Sequence, residues 1–258
     1  MRAMGASYSC RCIVLKKTKL GESDLILTML SQDGRQVKGV AKGARKPGNK
    51  RFGARLEPFS VVDLQLYPGK NLDNVTEVRC VTSNAACRTD LDRSAACSLM
   101  AELVSKVVAD GEVGERTFTM LCAACEHICA LPARSAYLVA IAFMLKAMAL
   151  MGVRPALHEC ALCASSVDGF AGFSYELGGV ICHACSVGSA ASDIPMALVP
   201  WIDLLLGSTF AQLEVLEGAP VLQLLNFADR WAAEHLGLKL KSAVFARMQL
   251  MDDAGSLA

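Results

Sequence analysis

Cys160 and Cys163 form one CxxC pair and Cys182 and Cys185 a second, with eighteen residues between them. That stretch contains Gly169, Gly172, Gly178 and Gly179, so it can double back as a hairpin and bring both pairs to one point. Each pair puts two thiolates within reach of one ion, and two pairs supply a tetrahedron of soft sulfur ligands, the zinc-ribbon pattern. With all four positions filled by protein, none is left for an activated water. The expected zinc ion is therefore structural, one per chain, holding together a segment too short for a core of its own. His158 and His183 flank the pairs and are not expected as ligands. A thiol-exchange site would need one CxxC opening a helix inside a βαβ pattern, which the flanking sequence lacks.

Twelve cysteines in 258 residues invite a disulfide reading. Residues 1 to 12, MRAMGASYSCRC, lack the apolar run and small-residue cleavage site of a secretory signal; the thiols are expected in a reducing cytoplasm. Cys122, Cys125 and Cys129 are spaced by three and four, the spacing of core positions on a helix, and no fourth cysteine follows nearby to complete an iron–sulfur run. The most apolar stretch, Ala136 to Met151, is sixteen residues long with Lys146 near its middle. It is too short to cross a bilayer and reads as a buried helix stopped by Gly152 and Pro155.

A net charge of +1 conceals a separation of charge. Residues 1 to 58 hold thirteen Lys and Arg against four acids, and the remaining 200 hold thirteen against twenty-one. Arg35, Lys38, Lys42, Arg45, Lys46, Lys50, Arg51 and Arg55 follow one another without an intervening carboxylate. Such a block repels itself unless solvent or a polyanion screens it, and a phosphate backbone is the expected partner.

Around that block the pattern has period two. CIVLKKTKL, SDLILTMLS, RQVKGVAKG, FSVVDLQLY and NVTEVRCVT are candidate strands, with Asp33-Gly34 as a hairpin turn and Pro47, Gly48 and Gly53 in a longer connection. Five antiparallel strands closing as a Greek-key barrel give the OB architecture, whose exposed face and loops hold single-stranded nucleic acid; an SH3-like barrel would give a similar string. The loop from Lys42 to Arg55 is expected to track phosphates, with Phe52 available to stack on a base. No recognition helix is evident, so sequence-independent binding is expected.

After residue 82 the period becomes helical. The expected organisation is α+β: a barrel over residues 1–82, then a helical domain over 83–258 with the cysteine module at 158–187 inserted in it. Pro220 opens and Gly237 closes one helix, on which Val221, Leu224, Leu225, Ala228 and Trp231 share a face. Trp201 and Trp231 are read as core. There is no GxxxxGK[ST], GxSxG, HExxH or GxGxxG after a strand, and Asp90 and Asp92 are read as a helix start. An enzyme is not expected.

Taken in order, VLKKTKLGESDLILTMLSQDG, VAKGARKPGNKRFGARLEPFSVVDLQLY and CALCASSVDGFAGFSYELGGVICHAC resemble the first two strands, the third strand with basic loop and fourth strand, and the four-cysteine module of the bacterial RecO family of DNA repair proteins. The resemblance covers nearly the whole chain. It implies a recombination mediator that binds single- and double-stranded DNA, anneals complementary strands, and with RecR and sometimes RecF helps load RecA onto DNA coated by single-strand binding protein. It also implies docking of that protein's acidic C-terminal tail on the helical domain, in a cytoplasmic, nucleoid-associated setting with no membrane partner. DNA contact carries over to Lys38, Lys42, Arg45, Lys46, Lys50, Arg51 and Arg55 as a group, and metal ligation to Cys160, Cys163, Cys182 and Cys185. Two other classes stand beside it. An RNA-binding protein of translation or transcription shares the charge pattern, and a nuclease would need clustered acids near the basic loop, where only Glu22, Asp24, Asp33 and Glu57 occur.

Overall fold

Alternating apolar and polar residues carry the first third of the chain into five strands, β1 (Tyr8–Leu20), β2 (Asp24–Ser31), β3 (Gln36–Ala41), β4 (Val61–Tyr67) and β5 (Asp73–Thr82). The computed structural model describes residues 6–49, 52–111, 113–132, 135–167, 169–187 and 192–255. The strands close into a barrel in the order β1-β2-β3-β5-β4, the OB arrangement. All seams are antiparallel except β3–β5, which is parallel and short, with Gly39 opposite Asp73 and Val40 opposite Asn74. An all-antiparallel barrel was the expectation from the sequence. The difference arises because β4 crosses to pair with β1, and β5 returns into the gap beside β3.

The turn between β2 and β3 is made by Asp33-Gly34. Gly34 has φ +84°, and a Cβ there would lie 2.4 Å from the Gly114 nitrogen. The Asp33 carboxylate accepts hydrogen bonds from Arg35 and Ser31, which hold its pKa down at about 2. Inside the barrel, Val14, Leu27, Met29, Val62, Leu66 and Val75 form the core together with Phe52 and Leu56 from the long β3–β4 connection.

That placement corrects one expectation. Phe52 is 1 % exposed and plugs the barrel, so its ring is not available to stack on a base. An apolar ring next to glycines in a cationic loop reads as a surface aromatic by local context, but burying it removes well over 100 Å² of apolar surface from water, which decides its direction.

Two helices follow, α1 (Leu91–Asp110) and α2 (Glu115–Ala130). Asp90 caps α1, its carboxylate accepting from the Arg93 amide at 3.0 Å, as a helix-starting turn requires. Helix α1 packs on the outer face of β1–β3, where Leu30 is fully buried and the Gln36 side chain donates to the Ser105 carbonyl at 3.1 Å. Barrel and both helices make one compact unit, Met1–Ala136, and Tyr137–Ala258 makes the second. Strand β5 ends at Thr82, and the compact units divide later, after Ala136.

The second unit is built on α3 (Ala136–Leu150), the short strands β6 (Gly172–Ser174) and β7 (Gly179–Ile181), and helices α4 (Val199–Gly207), α5 (Val221–Leu236) and α6 (Lys241–Gly255). Residues Tyr137 to Leu145 of α3 are all buried, and the half-buried Lys146 donates to the Leu206 carbonyl at 2.7 Å. Helix α5 begins after Pro220, ends at Gly237 with φ 65°, and buries Leu224, Leu225, Ala228 and Trp231 of the expected face, while Val221 in its first turn is half-buried. No helix among the described residues is long and apolar enough to cross a membrane.

Phe52→Ala is expected to destabilise the protein by about 3 to 5 kcal/mol, the usual loss for emptying an aromatic from a packed core, measured by urea denaturation. A change within about 0.5 kcal/mol, typical of surface positions, would show that the ring is not part of the core.

Candidate nucleic-acid interface and metal centre

The barrel presents two cross-strand rows of charge with opposite character. In one, Arg11 of β1 lies opposite Asp63 of β4, which lies opposite Arg79 of β5. Asp63 accepts from both arginines, at 2.7 Å from Arg11 Nε, and its pKa is lowered chiefly by Arg11. In the other, Lys16 of β1 lies opposite Thr28 of β2, and Thr28 opposite Lys38 of β3. Both lysines are exposed and, among the described residues, neither is ion-paired with a carboxylate. Lys38 belongs to the group expected from the sequence. Lys16 does not, because its partnership with Lys38 exists only through strand register.

The basic loop continues from that row. Lys42, Arg45, Lys46 and Arg55 are all exposed; Lys50 and Arg51 lie outside the described residues. The loop is rooted at its start. Asp24 accepts from the Gly43 amide at 2.7 Å and from the Ser23 hydroxyl at 2.9 Å, while the Asn49 side chain donates to the Gly43 carbonyl at 2.6 Å. The Arg45 amide donates to the Ser23 carbonyl at 2.8 Å, and its guanidinium to the Gly21 carbonyl at 3.1 Å. The Gly43 bond first, and the Ser23 bond second, lower the Asp24 pKa, with Lys42 and Lys46 adding their charges. At its far end the loop is anchored by Phe52 and Leu56 in the barrel core. Arg35, the first cation of the sequence block, is held by Asp33, unlike Lys16 and Lys38. Asp24 and Asn49 are the organising residues that charge counting passes over; an acid at the first position of a strand, facing a glycine turn, was the available signal.

In the second unit the two CxxC pairs converge. The four sulfurs of Cys160, Cys163, Cys182 and Cys185 all lie within 4.8 Å of one another, with Cys163 and Cys182 3.9 Å apart. Each pair sits in a tight turn: the Ala164 amide donates to the Cys160 carbonyl at 2.8 Å, and the Cys185 amide to the Cys182 carbonyl at 3.1 Å. The Cys182 amide donates to the Cys160 sulfur at 3.4 Å, and this bond leads those that lower the Cys160 pKa to about 6. Cys185 is pushed up to about 12, first by its contact with Cys163 and then by Cys182. Four thiols sharing so small a space cannot all ionise without a cation, and the all-sulfur donor set with backbone N–H groups aimed at sulfur fits a soft ion. His158 Nε2 lies 3.1 Å from Asp203 Oδ1, and neither it nor the exposed His183 belongs to the group.

The hairpin between the pairs is fastened to α5. Phe173 and Tyr175 meet Phe227 and Trp231 with ring centroids 5.5 to 6.2 Å apart, and Trp231 donates to the Val153 carbonyl at 2.8 Å. Gly179 of β7 bridges Ala156, whose carbonyl oxygen would lie 2.4 Å from any Cβ at that position. The cysteines therefore hang on a packed aromatic base.

Two family models match the chain in sequence: Recombination protein O N terminal over residues 4–84, and Recombination protein O C terminal over residues 88–243. The chain belongs to the RecO family. The DNA repair protein RecO of Nocardioides sp. (strain JS614) is 32 % identical over 242 residues, covering 92 % of this chain and 98 % of that relative. Membership in the RecO family gives the chain a role in DNA repair, and the family models divide near the end of the barrel, between residues 84 and 88.

For the metal centre, Cys160→Ser is expected to abolish tight binding of Co²⁺ at the four-cysteine group and to lower the thermal midpoint of the second unit, followed by absorption titration and calorimetry. Undiminished Co²⁺ binding in that variant would show that the four sulfurs do not act as one site.

Proposed function

We propose that this RecO-family chain is a recombination mediator without covalent chemistry, which binds single- and double-stranded DNA on the barrel and accelerates pairing of complementary strands. The observation that carries the reading is the unpaired row formed by Lys16 and Lys38, continued by Lys42, Arg45 and Lys46 on a rooted loop. Annealing requires that repulsion between two phosphate backbones be screened while base edges stay free. Cations on a loop whose start Asp24 holds through the Gly43 amide, ion-paired with no carboxylate among the described residues, offer that screening, and they lack the base-reading geometry that would hold one sequence. Lys50, Arg51 and Arg55 extend the cationic set in sequence and are included in the proposed contact group.

The four-cysteine centre is proposed to hold one structural zinc ion. Closed all-thiolate coordination suits a stabilising role, and the aromatic packing against α5 supports it, since the metal would lock the hairpin that supplies Phe173 and Tyr175. The proposed partners follow from family membership: RecR, RecF in some settings, the acidic C-terminal tail of single-strand binding protein, and RecA as the protein loaded, in the cytoplasm at the nucleoid.

The test is fluorescence-monitored annealing of complementary oligonucleotides, bare or coated with the cognate single-strand binding protein, with wild type and Lys42→Ala/Arg45→Ala/Lys46→Ala. Wild type is expected to accelerate both reactions and the triple variant neither, while keeping its circular dichroism. Binding without acceleration by wild type would contradict the mediator reading, and a preference for structured RNA over DNA would favour a role in translation or transcription.

A further inference from the structure

Three cysteines outside the CxxC pairs meet in the first unit. Cys87 belongs to a short 3-10 turn (Ala85–Arg88), Cys97 to α1 and Cys125 to α2, so three separate elements deliver one thiol each to the same point. All three are fully buried, and their sulfurs lie within 4.8 Å of one another. Cys129, one helical turn beyond Cys125 and half-buried, places its sulfur 3.3 Å from that of Cys87. At metal–sulfur bonds of about 2.3 Å, ligand sulfurs in a tetrahedral site are about 3.8 Å apart, a separation that lies between the 3.3 Å of Cys87 and Cys129 and the 4.8 Å that bounds the three buried sulfurs.

We propose that Cys87, Cys97 and Cys125 form a second metal site, specific for a thiophilic closed-shell ion, with Cys129 as a fourth ligand where the ion demands four. Soft thiolates select Cu(I) and Zn(II). Three ligands suffice for the first, whereas the second requires Cys129 to swing in. Three or four thiolates around a mono- or divalent ion leave net negative charge in a buried place, which needs nearby cations. Arg88 and Arg93 supply them: both charges act on Cys129, and Arg93 Nε is buried with no hydrogen-bond partner among the described residues. The alternative is a set of thiols serving as small hydrophobes. It accounts for the burial of each sulfur but gives no reason for three elements to converge on sulfur contacts.

The site would pin the start of α1 and the middle of α2 to the chain leaving the barrel, with the metal stabilising the first unit as the CxxC centre does the second. It is independent of the mediator reading and of the CxxC centre, and the test separates them.

Full-length wild type and Cys163→Ser/Cys185→Ser are reconstituted anaerobically with Zn²⁺ in one arm and Cu⁺ in the other, desalted, and assayed for metal per chain. Wild type is expected to hold a second equivalent of at least one ion. The double variant should keep that equivalent, and addition of Cys97→Ala, or of Cys87→Ala should the first fail to fold by circular dichroism, should remove it. Retention of Cu⁺ alone would assign the three-sulfur form, and retention of Zn²⁺ the four-sulfur form with Cys129. A folded double variant that takes up neither ion, or one whose uptake is unaffected by loss of Cys97 or Cys87, would overturn the proposal.

Discussion

Closure of the barrel depends on one irregular strand. β1 pairs with β4 through Tyr8–Ile13 and with β2 through Cys12–Leu20, so a single thirteen-residue strand must serve two neighbours that diverge along its length. It does so by a bulge: the register to β2 slips between Val14 and Lys16. A bulge adds a residue on one side, bends the strand and sharpens its twist, which is what a small barrel needs at a corner. Ile13, Val14 and Leu15 are consequently buried in succession. Val14 also exchanges backbone hydrogen bonds with the Phe59–Ser60 segment, at 2.7 and 3.0 Å, and Phe59 holds a positive φ of 69° with its carbonyl bound by the buried Asn84 side chain. The phase change after the bulge turns Lys16 outward, opposite Thr28 and in line with Lys38. Without it the alternation of β1 would run on unbroken, and the cation row would lose its first member.

The fold was legible where periodicity and punctuation agree. The five strand candidates match the observed strands to within a few residues, Asp33-Gly34 makes its turn, and Pro220 and Gly237 bracket α5, because each rests on a short-range preference that tertiary contacts do not oppose. The convergence of the CxxC pairs was legible for the same reason: two thiols three residues apart lie close in almost any turn, and glycine supplies the return. What stayed hidden depends on registry or on distant partners. The Lys16–Thr28–Lys38 row requires knowing the bulge, and the burial of Phe52 requires knowing that the barrel end is open to be filled. The meeting of Cys87, Cys97 and Cys125 requires the packing of α1 and α2 on the same unit. Along the chain no fourth cysteine closely follows Cys122, Cys125 and Cys129; in space Cys87 and Cys97 come from before them.

Charge placement connects the fold to the proposed role. Arginines on β1 and β5 share the Asp63 carboxylate, whereas Lys16 and Lys38 are ion-paired with no carboxylate among the described residues. An unpaired cation row raises the energy of the free protein slightly and is relieved when phosphate arrives and counterions leave, so the same feature that is unhelpful to stability favours a polyanion. Asp24 tunes this without cancelling it: its carboxylate is engaged by the Gly43 amide and the Ser23 hydroxyl, which holds the loop's start in place while the ammonium groups face solvent. The four-cysteine hairpin in the second unit follows a comparable division of labour: its sulfurs are gathered where the proposed ion would add rigidity, and its aromatic residues form part of a core.

The most direct test of this account is the salt dependence of DNA binding by Lys16→Ala/Lys38→Ala, with Arg79→Ala as a control on the row paired through Asp63. Each lost phosphate contact flattens the slope of log affinity against log salt by roughly 0.7 to 0.9, so the double variant is expected to lose about 1.4 to 1.8 and the control nothing. An unchanged slope in the double variant, or an equal loss in the control, would contradict the assignment of DNA to the unpaired face of the barrel.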